Sequence, residues 1–276
     1  MEANTGLIST ILDALKNGHY GWELLPDMSA HGASIDHLIQ VLHVFMIALF
    51  AGWAIYLVYC LVRFRARPGH SAEASTKHFK LPTYLEVGVV IFEVFLLVAL
   101  STPVWFSYKR GPVNRADAIV VKVTAEQFAW NFHYPGRDGK FGPTKTELID
   151  GTNPVGLDRE DPTGKDDIVS VNNFHIPVHR PVILEVTSKD VIHGFGVPLL
   201  RLKQDAVPGM VSTIWFEATE TGEAQVACAQ LCGNGHYRMR GQVMVESAED
   251  FQKFLDEEYK SLGIDVSHSS AAERNS

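Results

Sequence analysis

The chain has 276 residues and a formal net charge of -8, with 46% hydrophobic and 20% charged residues. Nucleic acid is excluded as a partner, because binding phosphates takes a basic stripe and the basic residues gather only in one short loop. Of the three cysteines one lies inside an apolar block, so no disulfide framework is implied, and without a C-x-x-C-H motif no covalent haem is expected in this chain.

Residues 1–36 read as an external N-terminal segment, in which Leu7, Ile8, Ile11, Leu12 and Leu15 share one face of a short amphipathic helix. A basic n-region with a cleavage site is missing there, so no cleaved signal peptide is expected. Residues 37–110 read as a transmembrane hairpin. The run from about 38 to 62 has no formal charge, and roughly 20 apolar residues suffice to cross a bilayer as a helix. A second span at about 85–107 is apolar apart from Glu86 and Glu93, and Trp105, Phe106 and Tyr108 form an aromatic belt at its exit.

Between the spans, the loop 63–80 carries Arg63, Arg65, Arg67, Lys77 and Lys80, whereas only Lys16 precedes the first span. The positive-inside rule makes this loop cytoplasmic and places both termini outside. An acid within a span is expensive. Glu86 lies near enough to the cytoplasmic end to be solvated, while Glu93 must face protein or water. Gln40 and His43 are expected to make polar helix contacts, and Cys60 to be a small buried side chain.

Residues 111–247 carry an all-β pattern. Alternating or β-branched segments start near Ala118, Gln127, Asp167, Val182, Met210, Glu223 and Gly241, separated by Gly and Pro turns, and predict a sandwich or barrel. The stretch from Asp138 to Asp167 is rich in Gly, Pro and Asp and reads as an inserted surface loop. Within 248–276, Phe251, Phe254, Leu255 and Tyr259 recur at helical spacing, ahead of a disordered tail.

The chemistry concentrates in C-A-Q-L-C-G-N-G-H-Y-R-M, which brings Cys228, Cys232, His236 and Met239 together. Thiols, imidazole and thioether are soft ligands that favour copper. Upstream, D-V-I-H-G-F-G-V-P adds His193, with two glycines that allow close backbone approach. The residues alone leave open a disulfide, a structural zinc site and a copper site. A mononuclear blue-copper centre needs two His, one Cys and a weak axial Met, so the second cysteine suits a pair of copper ions bridged by thiolates. His133, His175 and His179 are expected at the surface or in turns.

With H-G-F-G-V-P, K-Q-D-A-V-P-G, W-F-E-A-T and the ligand loop in this order, nearly the whole chain resembles subunit II of haem-copper cytochrome c oxidases. The resemblance implies a two-helix transmembrane hairpin followed by an all-β cupredoxin-like Greek-key sandwich with a C-terminal helix. It implies a dinuclear copper A centre held by the side chains of His193, Cys228, Cys232, His236 and Met239 and by the backbone carbonyl of Gln230. Electrons would enter singly from cytochrome c and pass to haem in subunit I. The setting implied is the bacterial inner membrane, with the copper domain on the periplasmic side and other oxidase subunits as partners.

Several positions depart from the family pattern. Gln230 stands where the family has a Glu that reaches a magnesium ion at the subunit I boundary, so the carbonyl is kept and the charge is lost. Phe128 stands where the family has the Trp of electron entry, with Trp130 two residues on, and Met210 replaces an Arg. Glu86 matches a family Glu near the mouth of a proton channel in subunit I; Glu93 has no family counterpart. The acidic residues between Thr146 and Asp167 either keep their loop solvated or steer a basic cytochrome c. The competing function is a membrane-tethered copper-binding or copper-delivery protein without a role in electron transfer. A quinol oxidase subunit II would lack the copper ligands, and nitrous oxide reductase needs a large further domain.

Overall fold

The computed structural model describes residues 25–69, 80–111 and 117–265; the amphipathic helix expected at the N-terminus and the tail lie outside the described residues. Two compact units divide the chain, one built on Ala33–Ser107, the other on Leu25–Gly32 and Tyr108 onward.

The first unit holds α1 (Gly32–Arg63), α2 (Leu81–Leu96) and α3 (Thr102–Lys109), with a π-helical turn at Leu97–Ser101 joining the last two. Both helices begin several residues before the apolar runs that announced them. Hydropathy marks the apolar stretch, whereas helical hydrogen bonding continues through polar flanks. Pro82 occupies the first turn of α2, where a missing N–H costs nothing. Pro103, in contrast, removes a helical donor. The chain responds with the π turn, and the Leu97 carbonyl accepts from both the backbone N–H and the Oγ1 of Thr102, the latter at 2.9 Å.

Phe45 of α1 meets Phe92 of α2 with ring centroids 4.9 Å apart. Both helices are long and apolar enough to cross a membrane, yet 0% and 6% of their most apolar windows are buried. The core helix of a soluble protein would show the opposite. Cys60, expected to be buried, is half-buried.

The second unit is a sandwich of two five-stranded sheets, ordered β3-β2-β1-β5-β8 and β4-β10-β9-β6-β7. The strands are β1 (Ile119–Glu126), β2 (Ala129–Tyr134), β3 (Ile168–Val171), β4 (Asn173–Pro177), β5 (Pro181–Ser188), β6 (His193–Val197), β7 (Leu202–Ala206), β8 (Ser212–Glu217), β9 (Gly222–Cys228) and β10 (Arg240–Glu246). Neighbours pair antiparallel except β1 with β5 and β4 with β10, which run parallel. Along β1 the burial alternates, with Val121, Val123 and Ala125 facing the core, as period-2 geometry requires. Between the sheets, Phe132 stacks on Phe174 at 4.6 Å and Trp130 meets Phe195 edge-on at 5.3 Å.

β2 is buried on both faces, which corrects the expectation of a surface His133. That side chain is 1% exposed and its Nε2 lies 2.6 Å from the Asp167 carboxylate. The same carboxylate accepts from the backbone N–H groups of Gly136 and Gly142 at 2.7 and 2.8 Å. The 138–167 insertion is therefore a cap over the outer face of β2, with Leu157 buried and Phe141 against His133. His175 is likewise no turn residue: it lies half-buried in β4 and stacks on Phe254 at 3.9 Å. His179 is in a turn, with φ of 57°.

α4 (Ala248–Ser261) closes the unit. Ser247 caps it by accepting the Asp250 N–H at 3.1 Å, with Glu249 and Asp250 in the first turn, where carboxylates complement the helix dipole. Phe251 and Tyr259 are buried and Phe254 and Leu255 partly so, as their spacing required.

Candidate metal centre

Two segments build the centre. β6 starts at His193, and β9 ends at Cys228, from which the ligand loop runs to Met239 before β10. The loop is closed at its base by the Cys228 N–H, which donates to the Met239 carbonyl at 3.1 Å, and is folded by a 3-10 turn over His236–Arg238. Gly194 lets β6 come close: the Ala229 N–H donates to the Gly194 carbonyl at 2.8 Å, and a Cβ at Gly194 would lie 3.0 Å from the Ala229 carbonyl carbon and the Gln230 nitrogen. The close approach inferred from H-G-F-G is thus located at Gly194.

The side chains expected as ligands converge. The Cys228 and Cys232 sulfurs are 3.7 Å apart, far beyond the ~2.05 Å of a disulfide, and both cysteines are free. His193 turns Nδ1 toward Met239 Sδ at 3.2 Å and Cys228 Sγ at 3.9 Å. On the other side, His236 Nδ1 lies 3.6 Å and Met239 Sδ 3.8 Å from Cys232 Sγ. The Cys228 thiol donates to the Gln230 carbonyl at 3.1 Å. His193, Cys228, Cys232 and Met239 are buried, His236 is half-buried, and Gln230 is exposed, offering the site its backbone.

Two thiols, two imidazoles with Nδ1 inward, a thioether and a carbonyl fit a soft metal such as copper. The donors exceed the four that a tetrahedral structural zinc ion takes. Burial, with the Cys228 thiol and the Asp190 carboxylate alongside, pushes the Cys232 thiol up to about 11. In the metal-free chain it is protonated at neutral pH, so metal binding releases a proton.

Asp190 is a participant that residue types alone did not single out. Its Oδ1 lies 2.8 Å from His193 Nε2. Burial pushes its carboxyl up, and bonds from His193 and from the backbone N–H groups of Gln127 and Val191 more than offset this, leaving it below the usual range. An ionised acceptor at Nε2 fixes the proton there and leaves Nδ1 free for a metal. The signal was present in D-V-I-H, an acid three residues before the ligand.

The remaining candidates are outside the donor set. Trp130 is 0% exposed, in the core, its ring 6.1 Å from that of His193. Phe128 is half-buried against the ligand loop, close enough that a Cβ at Gly235 would fall 2.4 Å from its ring. Glu86 is exposed on α2. Around the centre Leu231 is 78% and Tyr237 86% exposed.

The family model for the periplasmic domain of cytochrome c oxidase subunit II matches residues 119–247. An alternative cytochrome c oxidase subunit 2 from Bradyrhizobium diazoefficiens is 36% identical over 231 residues, which are 83% of this chain and 82% of that relative. The chain belongs to the cytochrome c oxidase subunit 2 family. Subunit 2 of Thermostichus vulcanus is 27% identical over 299 residues, 90% of this chain and 81% of that protein. A solved periplasmic domain of subunit II from Bradyrhizobium japonicum aligns with 52% of this chain and 95% of its own, at 28% identity and a TM-score of 0.39. The chain is therefore an oxidase subunit, with two apolar helices as its anchor and a periplasmic β-sandwich in which His193, Cys228 and Cys232 form a group that could hold a metal ion.

Proposed function

We propose that the chain is the electron-entry subunit of a respiratory cytochrome c oxidase, taking electrons from cytochrome c and passing them to haem in subunit I for reduction of oxygen to water. One observation carries the reading: two free thiols lie 3.7 Å apart, each with an imidazole Nδ1 within 3.9 Å, and Met239 Sδ lies 3.8 Å from Cys232 Sγ and 3.2 Å from His193 Nδ1. His193, Cys228, Cys232, His236 and Met239, with the Gln230 carbonyl, would hold a dinuclear copper A group. When bound, that group supplies a one-electron acceptor and donor.

The residues of the chain do the rest. Asp190 orients His193, and burial of both sulfurs keeps water from the donor set. The closed loop holds the donors in place before any metal arrives, which keeps rearrangement small. Leu231 and Tyr237 present apolar surface beside the centre, on which a partner protein can dock. Gln230 leaves no carboxylate at its position for magnesium. The acidic residues from Glu147 to Asp167 attract a basic cytochrome c, which enters its electron by Phe128 or, through the core, Trp130.

Reduction of the assembled oxidase by reduced cytochrome c, followed at increasing ionic strength, tests the reading. A rate that falls steeply with salt supports it. A chain that purifies with copper but never with a haem-containing subunit points to copper delivery instead and contradicts it.

A further inference from the structure

Gln127 makes two contacts that the donor set does not explain. It stands in the turn between β1 and β2, an exposed residue followed by Phe128. Its backbone N–H donates to Asp190 Oδ2 at 2.6 Å, while the other oxygen of that carboxylate holds His193 Nε2. Its side-chain Nε2 donates to the backbone carbonyl of Cys232, also at 2.6 Å. One exposed residue thus touches, directly or through one carboxylate, both ligand-bearing segments.

The ligand loop is shaped around this contact. Gly233 has φ of +130°, and a Cβ there would lie 2.7 Å from Gln127 Nε2 and 3.3 Å from the Phe128 ring. Only glycine takes that backbone without strain, and only glycine leaves room for the amide. Two residues on, Gly235 makes the same room for Phe128.

We propose that Gln127 is a positioning residue: its amide straps the Cys232 carbonyl to the β1–β2 turn, and through Asp190 it fixes the Cys232 side of the loop relative to His193. The backbone bonds within the loop, Cys228 N–H to Met239 and Met239 N–H to the His236 carbonyl, close the loop on itself. They do not tie it to the turn. The strap does, so its loss lets the loop open locally while the sandwich stays folded.

Hydrogen–deuterium exchange of the full chain in detergent, metal-free, tests this in a form that stands apart from the copper reading. Gln127→Met keeps length and the backbone bond to Asp190 but removes the donor. One hydrogen bond of this kind sustains roughly a five- to tenfold difference in a local opening equilibrium. Exchange of the amides of His236, Arg238 and Met239 is expected to speed up by that factor, with β5 and β8 unchanged. Gln127→Arg restores a donor and is expected to return exchange close to the parent rate. In the copper-loaded chain, where the proposal rests on the copper reading, transfer of copper to a chelator is expected to accelerate similarly in Gln127→Met and not in Gln127→Arg. Parent-like exchange in Gln127→Met, or equal acceleration in both variants, would overturn the proposal.

Discussion

Gly194→Ala is a direct probe of how the centre is assembled. A methyl group there would sit 3.0 Å from the Ala229 carbonyl carbon and the Gln230 nitrogen and 3.2 Å from the Ala229 Cα, all backbone atoms of the ligand loop. Carbon contacts are comfortable at about 3.5–4.0 Å, so strand and loop must part by roughly half an ångström. That stretches the Ala229 N–H bond to the Gly194 carbonyl, now 2.8 Å, and moves His193 away from Cys228. Overpacking of this kind costs about 1–3 kcal/mol. For a domain of 150–250 residues each kcal/mol lowers Tm by about 2–4 °C, so a drop of roughly 2–12 °C is expected in near-UV circular dichroism of the metal-free chain. Gly196→Ala is the control, because its nearest neighbours would be 3.4 Å away, and its loss should be smaller. If Gly194→Ala melts with the parent, or Gly196→Ala melts lower, the close approach is not what glycine serves here.

The buried Asp167 accepts from His133 and from two backbone N–H groups, and orphaned buried donors cost about 1–3 kcal/mol each. Asp167→Ala is expected to lose about 3–5 kcal/mol in urea unfolding, against less than about 1 kcal/mol for the exposed Asp138→Ala. Burial, with Asp166 adding to it and Arg137 opposing it, raises the Tyr259 phenol to about 12. The unfolded phenol titrates near ~10, so between these values the folded chain binds more protons. Stability is therefore intact below about pH 10 and falls as pH rises toward 12, a decline that Tyr259→Phe removes. Phe128→Ala is expected to slow electron entry from cytochrome c while leaving the copper spectrum intact, read by stopped-flow reduction of the assembled oxidase. Unchanged rates would remove Phe128 from the entry route.

The candidate ligands were legible in the sequence because their types are rare and their spacing is tight, and the structure brings them together: Cys228 and Met239 lie against His193, and Cys232 lies against Cys228, His236 and Met239. Seven of the ten strands were visible as alternating or β-branched runs. β4, β6 and β7 were not. N-F-H-I-P ends in proline, H-G-F-G-V has two glycines and L-K-Q-D-A no β-branched residue, so their extended state comes from ladder pairing rather than propensity. The same limit hid His133, because the burial of the outer face of β2 depends on an insertion whose polar composition reads as surface. Gln127 carries no signature of its own, and Asp190 only its place three residues before His193. Their roles come from long-range contacts, 63 residues apart for the bond between them.

The central claim is that this loop binds copper as a pair sharing one electron. Electron spin resonance and metal analysis of the copper-loaded full chain, beside Cys228→Ser and Cys232→Ser, test it most directly. The account expects two copper ions per parent chain with hyperfine splitting from both nuclei, and loss of that pattern in either variant. One copper per chain with mononuclear splitting, or a pattern that survives either substitution, would contradict it.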